Sequence, residues 1–157
     1  MPETLTFTYQ GDGDLAAMGL AETMSAANRG ENFTVIFINN GTYGMTGGQM
    51  APTTLVGEKT TTTPYGRIPV QHGYPLHMCE LLSQLNAPAY IARVTCAAPA
   101  NALKAKAAVK KAFEYQLNGK GFSFVEFLSN CPTNWAMTPA ESLEHIKNVT
   151  SSEFPLG

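Results

Sequence analysis

The pattern of hydrophobic and polar residues predicts strands and helices in alternation. Residues 33–38 are an almost continuous run of β-branched and aromatic side chains, typical of a strand buried on both faces. Residues 15–29 are rich in Ala, Leu, Met and Glu and stop before Gly30, which indicates a helix with a glycine at its C-terminal end. The predicted strands are 5–9, 33–38, 89–95 and 122–128, and the predicted helices are 15–29, 75–86, 100–118 and 138–148.

This order of elements indicates one α/β domain over residues 1–157, a three-layer sandwich with a mainly parallel sheet. The segment 39–73 interrupts the order and consists mostly of Gly, Thr, Pro and Asn. A loop of this length is usually either functional or disordered, and its glycines, set between specific polar residues, favour a functional loop.

Composition narrows the class of protein. Hydrophobic residues make up 44% of the chain and charged residues only 14%, against roughly 25% in an average soluble domain. We therefore expect a large buried interface and an oligomer, with an uncharged, threonine-rich surface as the alternative. The net charge of −2 argues against a nucleic-acid partner, and no apolar run is long enough to span a membrane.

The cysteines indicate a reducing, cytoplasmic location. Cys79, Cys96 and Cys131 are odd in number and far apart, so they form no disulfide framework, and residues 1–4 do not begin a signal peptide. We expect Cys79 and Cys96 to be buried. The three histidines are too scattered for a metal motif, and we expect His72 to be solvated and His145 to lie at the surface.

Three loops carry the candidate chemistry, since ligands of parallel α/β sheets bind beyond the carboxyl ends of the strands. Residues 11–14, 39–44 and 129–135 each follow a strand that we expect to be buried, so they should converge.

The first loop reads Gly11-Asp12-Gly13-Asp14 and lies between a strand and a helix N-terminus, a position suited to a diphosphate. Its carboxylates would repel that anion unless a divalent cation such as Mg²⁺ lay between them. The alternative is a tight turn in which Asp14 only caps the helix.

The second loop, taken together with the first, indicates a more specific type of site than the first loop alone. Asn39-Asn40 follows Gly13 after 25 residues, at the end of the next predicted strand. A G-D-G sequence followed at this spacing by N-N is typical of thiamine-diphosphate enzymes. The chain resembles the thiamine-diphosphate-binding β subunit of 2-oxoacid:ferredoxin oxidoreductases over nearly its whole length. The resemblance is carried by residues 8–17, 39–54, 122–126 and 131–135, and it is strongest to the branched-chain (2-oxoisovalerate) type.

The resemblance implies roles for individual residues. Mg²⁺ would be held by Asp12, the Asn40 side chain and the backbone carbonyl of Thr42, whereas Asn39 would only end its strand and order the turn. The loop 46–49 would face the cofactor and the partner subunit. The residues implied in binding thiamine diphosphate are Gly11, Gly13, Asp14, Gly44, Met45 and Thr46.

The resemblance also implies a reaction and partners. The reaction is oxidative decarboxylation of a 2-oxoacid to acyl-CoA and CO₂, with electrons passed to ferredoxin. No catalytic residue is assigned to this chain, because the glutamate that activates the cofactor would come from an α subunit on the pyrimidine side. The chain would thus be inactive alone, and γ and δ subunits are further candidate partners.

Cys131 is implied as one ligand of a 4Fe-4S cluster, whose other three cysteines lie in the family upstream of the G-D-G strand. Since those cysteines are absent here, we expect the chain to be the C-terminal part of a longer subunit, or to work with a separate N-terminal polypeptide. Two alternatives remain: half of a non-redox thiamine-dependent decarboxylase or synthase, and a catalytically silent fragment.

Overall fold

The computed structural model describes residues 4–157 and is built on one parallel sheet. Residues 1–3, which belong to the segment considered for a signal peptide, lie outside the described residues. The sheet has the order β1-β2-β6-β5, in which all neighbours are parallel. Its strands are β1 (Phe7–Gly11), β2 (Thr34–Asn39), β5 (Tyr90–Thr95) and β6 (Ser123–Leu128), and a separate antiparallel hairpin pairs β3 (Thr42–Tyr43) with β4 (Gln49–Met50).

Helices cover both faces of the sheet and give the predicted three layers. Side chains of β2 alternate between two cores, as successive residues of a strand do: Val35 and Phe37 pack into one, Ile36 into the other. The helices are α1 (Leu20–Arg29), α2 (Pro69–His72), α3 (Met78–Ser83), α4 (Pro99–Leu117), α5 (Pro132–Trp135), α6 (Pro139–His145) and α7 (Ser151–Glu153), with π-helical turns at Asp14–Met18 and Ile146–Thr150.

The first strand differs from the prediction in position and in burial. It continues through Gln10 to Gly11, because Gly11 still pairs with Ile38 of β2. It is an edge strand rather than a buried one, and Phe7 and Tyr9 are 52% and 70% exposed. Of the three candidate loops, the first therefore follows a half-covered strand.

Two predicted helices also differ from the structure. The helix predicted at 15–29 is divided at Gly19, whose N–H donates to Asp14 O at 2.6 Å and closes a π-helical turn. The helix predicted from Pro75 begins only at Met78. Leu76 N–H donates to Pro52 O at 2.9 Å and His77 is extended, so this stretch is tied to the long loop instead of starting a helical turn.

The last predicted helix is confirmed at its start and runs further at its end. Thr138 and Glu141 form both bonds of a capping box, with Pro139 in the first turn. The helical path then continues through the second π-helical turn to Glu153.

The cysteines divide differently from the prediction. Cys79 is buried as expected, but Cys96 is exposed and Cys131 is half-buried. Thr95 and Ala97, on either side of Cys96, take the buried positions as the chain leaves β5. Between residues 4 and 157, no helix combines the length and the apolar character needed to cross a membrane.

Candidate functional site

The three candidate loops meet at the carboxyl edge of the sheet. The N–H of Thr42, in the second loop, donates to Asp12 Oδ2 in the first loop at 3.1 Å. Asn134 of the third loop donates from Nδ2 to Gly44 O of the second at 3.2 Å. The second loop thus lies between the other two and contacts both.

A cleft of about 240 Å³ opens where the first and second loops face each other. Every residue that was predicted to bind cofactor or magnesium lines it, whereas Cys131 does not. The lining residues from that prediction are Gly11, Asp12, Gly13, Asp14, Asn40, Thr42, Gly44, Met45 and Thr46.

Asp12 is the buried acid of this cleft. Its side chain accepts hydrogen bonds from Gly13 N–H at 3.0 Å, from Thr42 N–H at 3.1 Å and from the Thr53 hydroxyl at 2.9 Å. Burial nevertheless raises its pKa to about 6, because these bonds only partly offset the loss of water. Within residues 4–157 no lysine or arginine forms an ion pair with Asp12, so the local chemistry favours a cation from outside the chain.

Asn40 brings a second side-chain oxygen to the same point. Its Oδ1 accepts from Thr42 N–H at 3.2 Å, so Asp12 and Asn40 both converge on one peptide amide. Gly41 makes the turn between Asn40 and Thr42 with φ of +69°, a conformation that glycine adopts without strain. Carboxylate, amide and backbone oxygens are the ligands Mg²⁺ prefers, so the residues present fit that ion.

Gly13 lets the two loops approach. A Cβ atom at this position would lie 2.3 Å from a carbon of the Tyr43 ring, so only glycine fits without moving that side chain. Asp14 does not cap the following helical turn: that turn has no side-chain cap, and the Asp14 carboxylate accepts from Gln10 Nε2 at 3.1 Å. The capping alternative for Asp14 is therefore wrong.

The sequence analysis missed Glu58, which lies against the same turn. Its Oε2 accepts from Leu55 N–H at 2.9 Å and would be 3.4 Å from a Cβ atom on Gly41. Burial raises its pKa to about 7, and the nearby charge of Asp12 contributes. Asp12, which is buried and lines the cleft, and Glu58, which is half-buried behind it, are thus two carboxyl groups that both lose water on folding.

Arg67 was also missed, although it organises the long loop. It is 4% exposed and donates only to backbone carbonyls. These bonds connect the two ends of the loop, since their acceptors are Ala51, Pro52, Thr54, His72, Gly73 and Tyr74. Within residues 39–73 only Glu58, Lys59 and Arg67 are charged. The rarity of charge in this loop is a signal that could have identified Glu58 and Arg67.

The third loop carries Cys131 and Asn134. Asn134 Nδ2 lies 3.2 Å from Cys131 Sγ, and that sulfur would be 3.7 Å from a Cβ atom on Gly44. Cys131 therefore lies behind the second loop, next to the cleft. No group of three His, Cys, Asp or Glu side chains suited to a metal ion occurs in the described part of the chain.

The histidines lie outside the cleft. His72 Nδ1 accepts from Ile68 N–H at 3.0 Å, so it stabilises α2 instead of being free in solvent. His145 is half-buried against Trp135, with ring centroids 5.0 Å apart, and burial lowers its pKa. His145 was expected at the surface, and it is only partly exposed there because Trp135 of the third loop packs against it.

Comparisons with known proteins identify the family and the fold of the chain. Residues 1–127 match the family model of the thiamine pyrophosphate enzymes' C-terminal TPP-binding domain. The chain is 58% identical over 148 residues to the ketoisovalerate oxidoreductase subunit VorA of Methanothermobacter marburgensis, which covers 94% of this chain and 31% of that subunit. It is 38% identical over 146 residues to the 2-oxoglutarate synthase subunit KorB of Archaeoglobus fulgidus, covering 93% of this chain and 50% of that subunit.

A solved structure has the same fold. The 2-oxoglutarate:ferredoxin oxidoreductase from Magnetococcus marinus, with 2-oxoglutarate, coenzyme A and succinyl-CoA bound, superposes with a TM-score of 0.68 at 24% identity. The match covers 88% of this chain and 43% of that one. The predicted α/β fold is confirmed, and so is the resemblance to 2-oxoacid oxidoreductase subunits. This chain spans only about a third to a half of the curated relatives described above.

Proposed function

The chain belongs to the thiamine pyrophosphate enzymes, as their C-terminal TPP-binding domain, and we propose that it forms the diphosphate half of the thiamine site in a 2-oxoacid:ferredoxin oxidoreductase. The observation that carries the proposal is the convergence of Asp12 and Asn40 on the Thr42 amide, beside a cleft at the carboxyl edge of the sheet. A desolvated carboxylate without a cationic partner in the described chain is suited to a bound Mg²⁺.

In this site Mg²⁺ would be held by Asp12, the Asn40 side chain and the backbone carbonyl of Thr42. The diphosphate would be held near Gly11, Gly13 and Asp14, where the chain enters its first helical turn and the positive end of the turn favours an anion. Gly44, Met45 and Thr46 line the opposite wall of the cleft. Thiamine diphosphate, when bound, supplies the electron sink for decarboxylation, while the chain orients it and balances its charge.

The reaction is the oxidative decarboxylation of a 2-oxoacid. Carbon dioxide leaves the substrate, coenzyme A takes the acyl group, and the two electrons released pass to ferredoxin. The 58% identity to a ketoisovalerate oxidoreductase subunit supports a branched-chain 2-oxoacid as the substrate. A cytoplasmic location agrees with three free cysteines.

The site needs a partner subunit. None of the described residues that line the cleft is a glutamate, and Glu58 lies behind it against Gly41, so we assign the glutamate for the aminopyrimidine ring to an α subunit. Exposed apolar side chains support a docking surface there: Met45 at the cleft is 99% exposed, and Tyr65 and Val70 of the long loop are 92% and 97% exposed. Burial of these residues against a partner also accounts for the low charge content of the chain.

Cys131 is proposed as one ligand of a 4Fe-4S cluster. It lies next to the cleft through its contacts with Asn134 and Gly44, so a cluster there would be close to the cofactor. Iron–sulfur clusters of this type take four cysteine thiolates, and the other three would come from outside this chain.

The metal site has a direct test. Asp12→Ala should abolish the Mg²⁺-dependent binding of thiamine diphosphate to the 157-residue chain in calorimetry, whereas Glu144→Ala, at an exposed helical position, should leave it unchanged. Unchanged affinity in Asp12→Ala would end the assignment.

The reaction is tested by adding the α subunit and following viologen reduction with 2-oxoisovalerate, 2-oxoglutarate and pyruvate. We expect the fastest reduction with 2-oxoisovalerate. Release of CO₂ without reduction would favour a non-redox thiamine enzyme, and the absence of both would favour a silent binding domain.

A further inference from the structure

A series of buried hydrogen bonds connects the centre of the sheet with the second loop. Glu126 of β6 is fully buried and lies beside Arg93 of β5 in the parallel register. Arg93, itself 3% exposed, donates from Nε to Glu126 Oε2 at 2.8 Å. Arg93 also holds Glu80 through two bonds, of 2.7 and 2.6 Å, so it keeps a second carboxylate partner of its own.

The other oxygen of Glu126 faces Asn39, the last residue of β2. Asn39 Nδ2 donates to Glu126 Oε1 at 2.7 Å, and Asn39 is 1% exposed, so no water competes for this contact. A carboxylate paired with arginine only accepts hydrogen bonds. The amide group of Asn39 therefore has one allowed orientation, in which its NH₂ faces Glu126 and its oxygen faces away.

That oxygen reaches the turn of the second loop. Asn39 Oδ1 accepts from Gly41 N–H at 3.2 Å, and Gly41 lies between Asn40 and Thr42. We propose that Glu126 is a positioning residue: by fixing the orientation of the Asn39 amide it orders the turn that holds the Asn40 and Thr42 oxygens toward Mg²⁺. The last step rests on the function proposed above, whereas the effect of Glu126 on the turn does not.

The order of donors and acceptors in this series of hydrogen bonds predicts the effect of Glu126→Gln, a substitution that keeps the size and shape of the side chain. The new amide can still accept from Arg93 through its oxygen, but it then turns an NH₂ group toward the NH₂ of Asn39. Asn39 must flip to accept from it, and its own NH₂ then faces Gly41 N–H. Two donors face each other, so the Gly41 bond is lost.

The same argument predicts a rescue. In the double variant Glu126→Gln with Asn39→Asp, the glutamine NH₂ donates to one aspartate oxygen and the other oxygen accepts from Gly41 N–H. Every bond regains a donor and an acceptor, and the negative charge moves by only one side chain. Asn39→Asp alone puts two carboxylates against each other, so it should be worse than either the parent chain or the double variant.

The experiment uses the ¹⁵N-labelled 157-residue chain. Hydrogen exchange of the Gly41 amide reports the turn, and calorimetry with thiamine diphosphate and Mg²⁺ reports the site. In Glu126→Gln we expect exchange at Gly41 to be about tenfold faster and the Kd to rise about tenfold, since roughly 1.4 kcal/mol corresponds to a factor of ten. The double variant should recover most of both effects.

A control separates the role of Glu126 from ordinary loss of stability. Thr34 Oγ1 donates to Gln116 Oε1 at 3.0 Å, a buried bond at the opposite end of β2. Thr34→Val should lower the melting temperature and leave Gly41 exchange and the Kd unchanged. If Glu126→Gln does not fold, Asn39→Ala removes the Gly41 acceptor while the Arg93 ion pair stays intact, and it should accelerate the same amide.

The outcomes are distinguishable. Unchanged Gly41 exchange in Glu126→Gln, or in Asn39→Ala, would overturn the proposal, as would a double variant no better than the single ones. Faster Gly41 exchange with rescue but an unchanged Kd would uphold the effect of Glu126 on the turn. The unchanged Kd in that case would contradict the assignment of Asn40 and Thr42 to the cofactor site.

Discussion

The Thr53 hydroxyl donates to Asp12 Oδ2 at 2.9 Å, across 41 residues of sequence. Thr53 is fully buried and belongs to the long loop, so this loop helps to form the wall behind the cleft. The contact stabilises the ionised form of Asp12 and opposes the rise in its pKa that burial causes.

We therefore expect Thr53→Val to weaken the metal site. The loss of one hydrogen bond to a buried carboxylate should cost about 1–3 kcal/mol of unfolding free energy and raise the pKa of Asp12 further above its present value of about 6. Carboxyl ¹³C chemical shifts across a pH titration measure the pKa, and urea unfolding measures the stability. Thr61→Val, at an exposed position of the same loop, is the control. An unshifted Asp12 titration would contradict the role of Thr53.

Gly13→Ala and Gly11→Ala are matched variants, because the two glycines are two positions apart and differ in the space around them. The added methyl at Gly13 would come within 2.3 Å of the Tyr43 ring, whereas at Gly11 it would meet nothing within 4 Å. Gly13→Ala should lower the unfolding free energy by about 1–3 kcal/mol through overpacking, and Gly11→Ala should be neutral or slightly stabilising. Thermal unfolding compares the two, and Gly13→Ala with Tyr43→Ala should recover stability. Equal melting temperatures for the two single variants would show that Tyr43 moves aside freely.

Local patterns were sufficient for the four strands of the sheet and for the three loops at its edge, whereas the roles of the residues that line the cleft came from the resemblance to a known family. The run at 33–38 predicts a central strand because its residues are all β-branched or aromatic and only Thr34 is polar, and glycines at 11, 13 and 41 indicate turns where strands end. The exposure of β1 could not be predicted in the same way, since it depends on which strands lie beside it. The exposure of Cys96 could not be predicted either, because it depends on the direction in which the chain leaves β5.

Glu126 and Arg67, which the sequence did not single out, act through contacts that local patterns do not show, whereas Asn39 was expected to order its turn and accepts from Gly41 N–H there. Asn39 and Glu126 are separated by 87 residues, and no periodicity links them. Arg67 is one isolated charge among glycines and threonines, and it becomes interpretable only when its six carbonyl partners are known. Sequence reasoning thus identified the residues that line the cleft and missed Arg67 and Glu126, which hold the surrounding loops in place.

Arg67→Lys should release the long loop, because a lysine ammonium cannot donate to carbonyls on both sides of it. Several buried carbonyls would lose their donor, which should lower the unfolding free energy by about 2–4 kcal/mol. Limited proteolysis should then cut within residues 51–74 before the rest of the domain, as identified by mass spectrometry. Arg29→Lys, at an ion pair exposed to solvent, should be silent. Uniform proteolysis across the chain would indicate global destabilisation instead.

Stability should fall as the pH rises through the range in which the buried pair ionises. Burial raises the pKa of Asp12 from 3.8 to about 6 and that of Glu58 from 4.5 to about 7. Both groups bind their protons more tightly in the folded chain than in the unfolded one. Their protonated forms therefore stabilise the fold, fully below about pH 4 and progressively less up to about pH 7.

Urea unfolding of the cofactor-free chain at pH 5, 6, 7 and 8 tests this expectation. The pair should remove about 2–4 kcal/mol of unfolding free energy across that range. Two groups act in the opposite direction: Glu80, whose pKa Arg93 lowers, acts below this range, and His145, whose pKa burial lowers, acts within it and offsets part of the effect. Glu58→Gln should flatten the profile and be more stable than the parent chain at pH 8, and Glu144→Gln should leave the profile unchanged. Mg²⁺ with thiamine diphosphate should restore stability at pH 8, because a cation favours ionised Asp12. A flat profile in the parent chain would contradict the burial of this carboxyl pair.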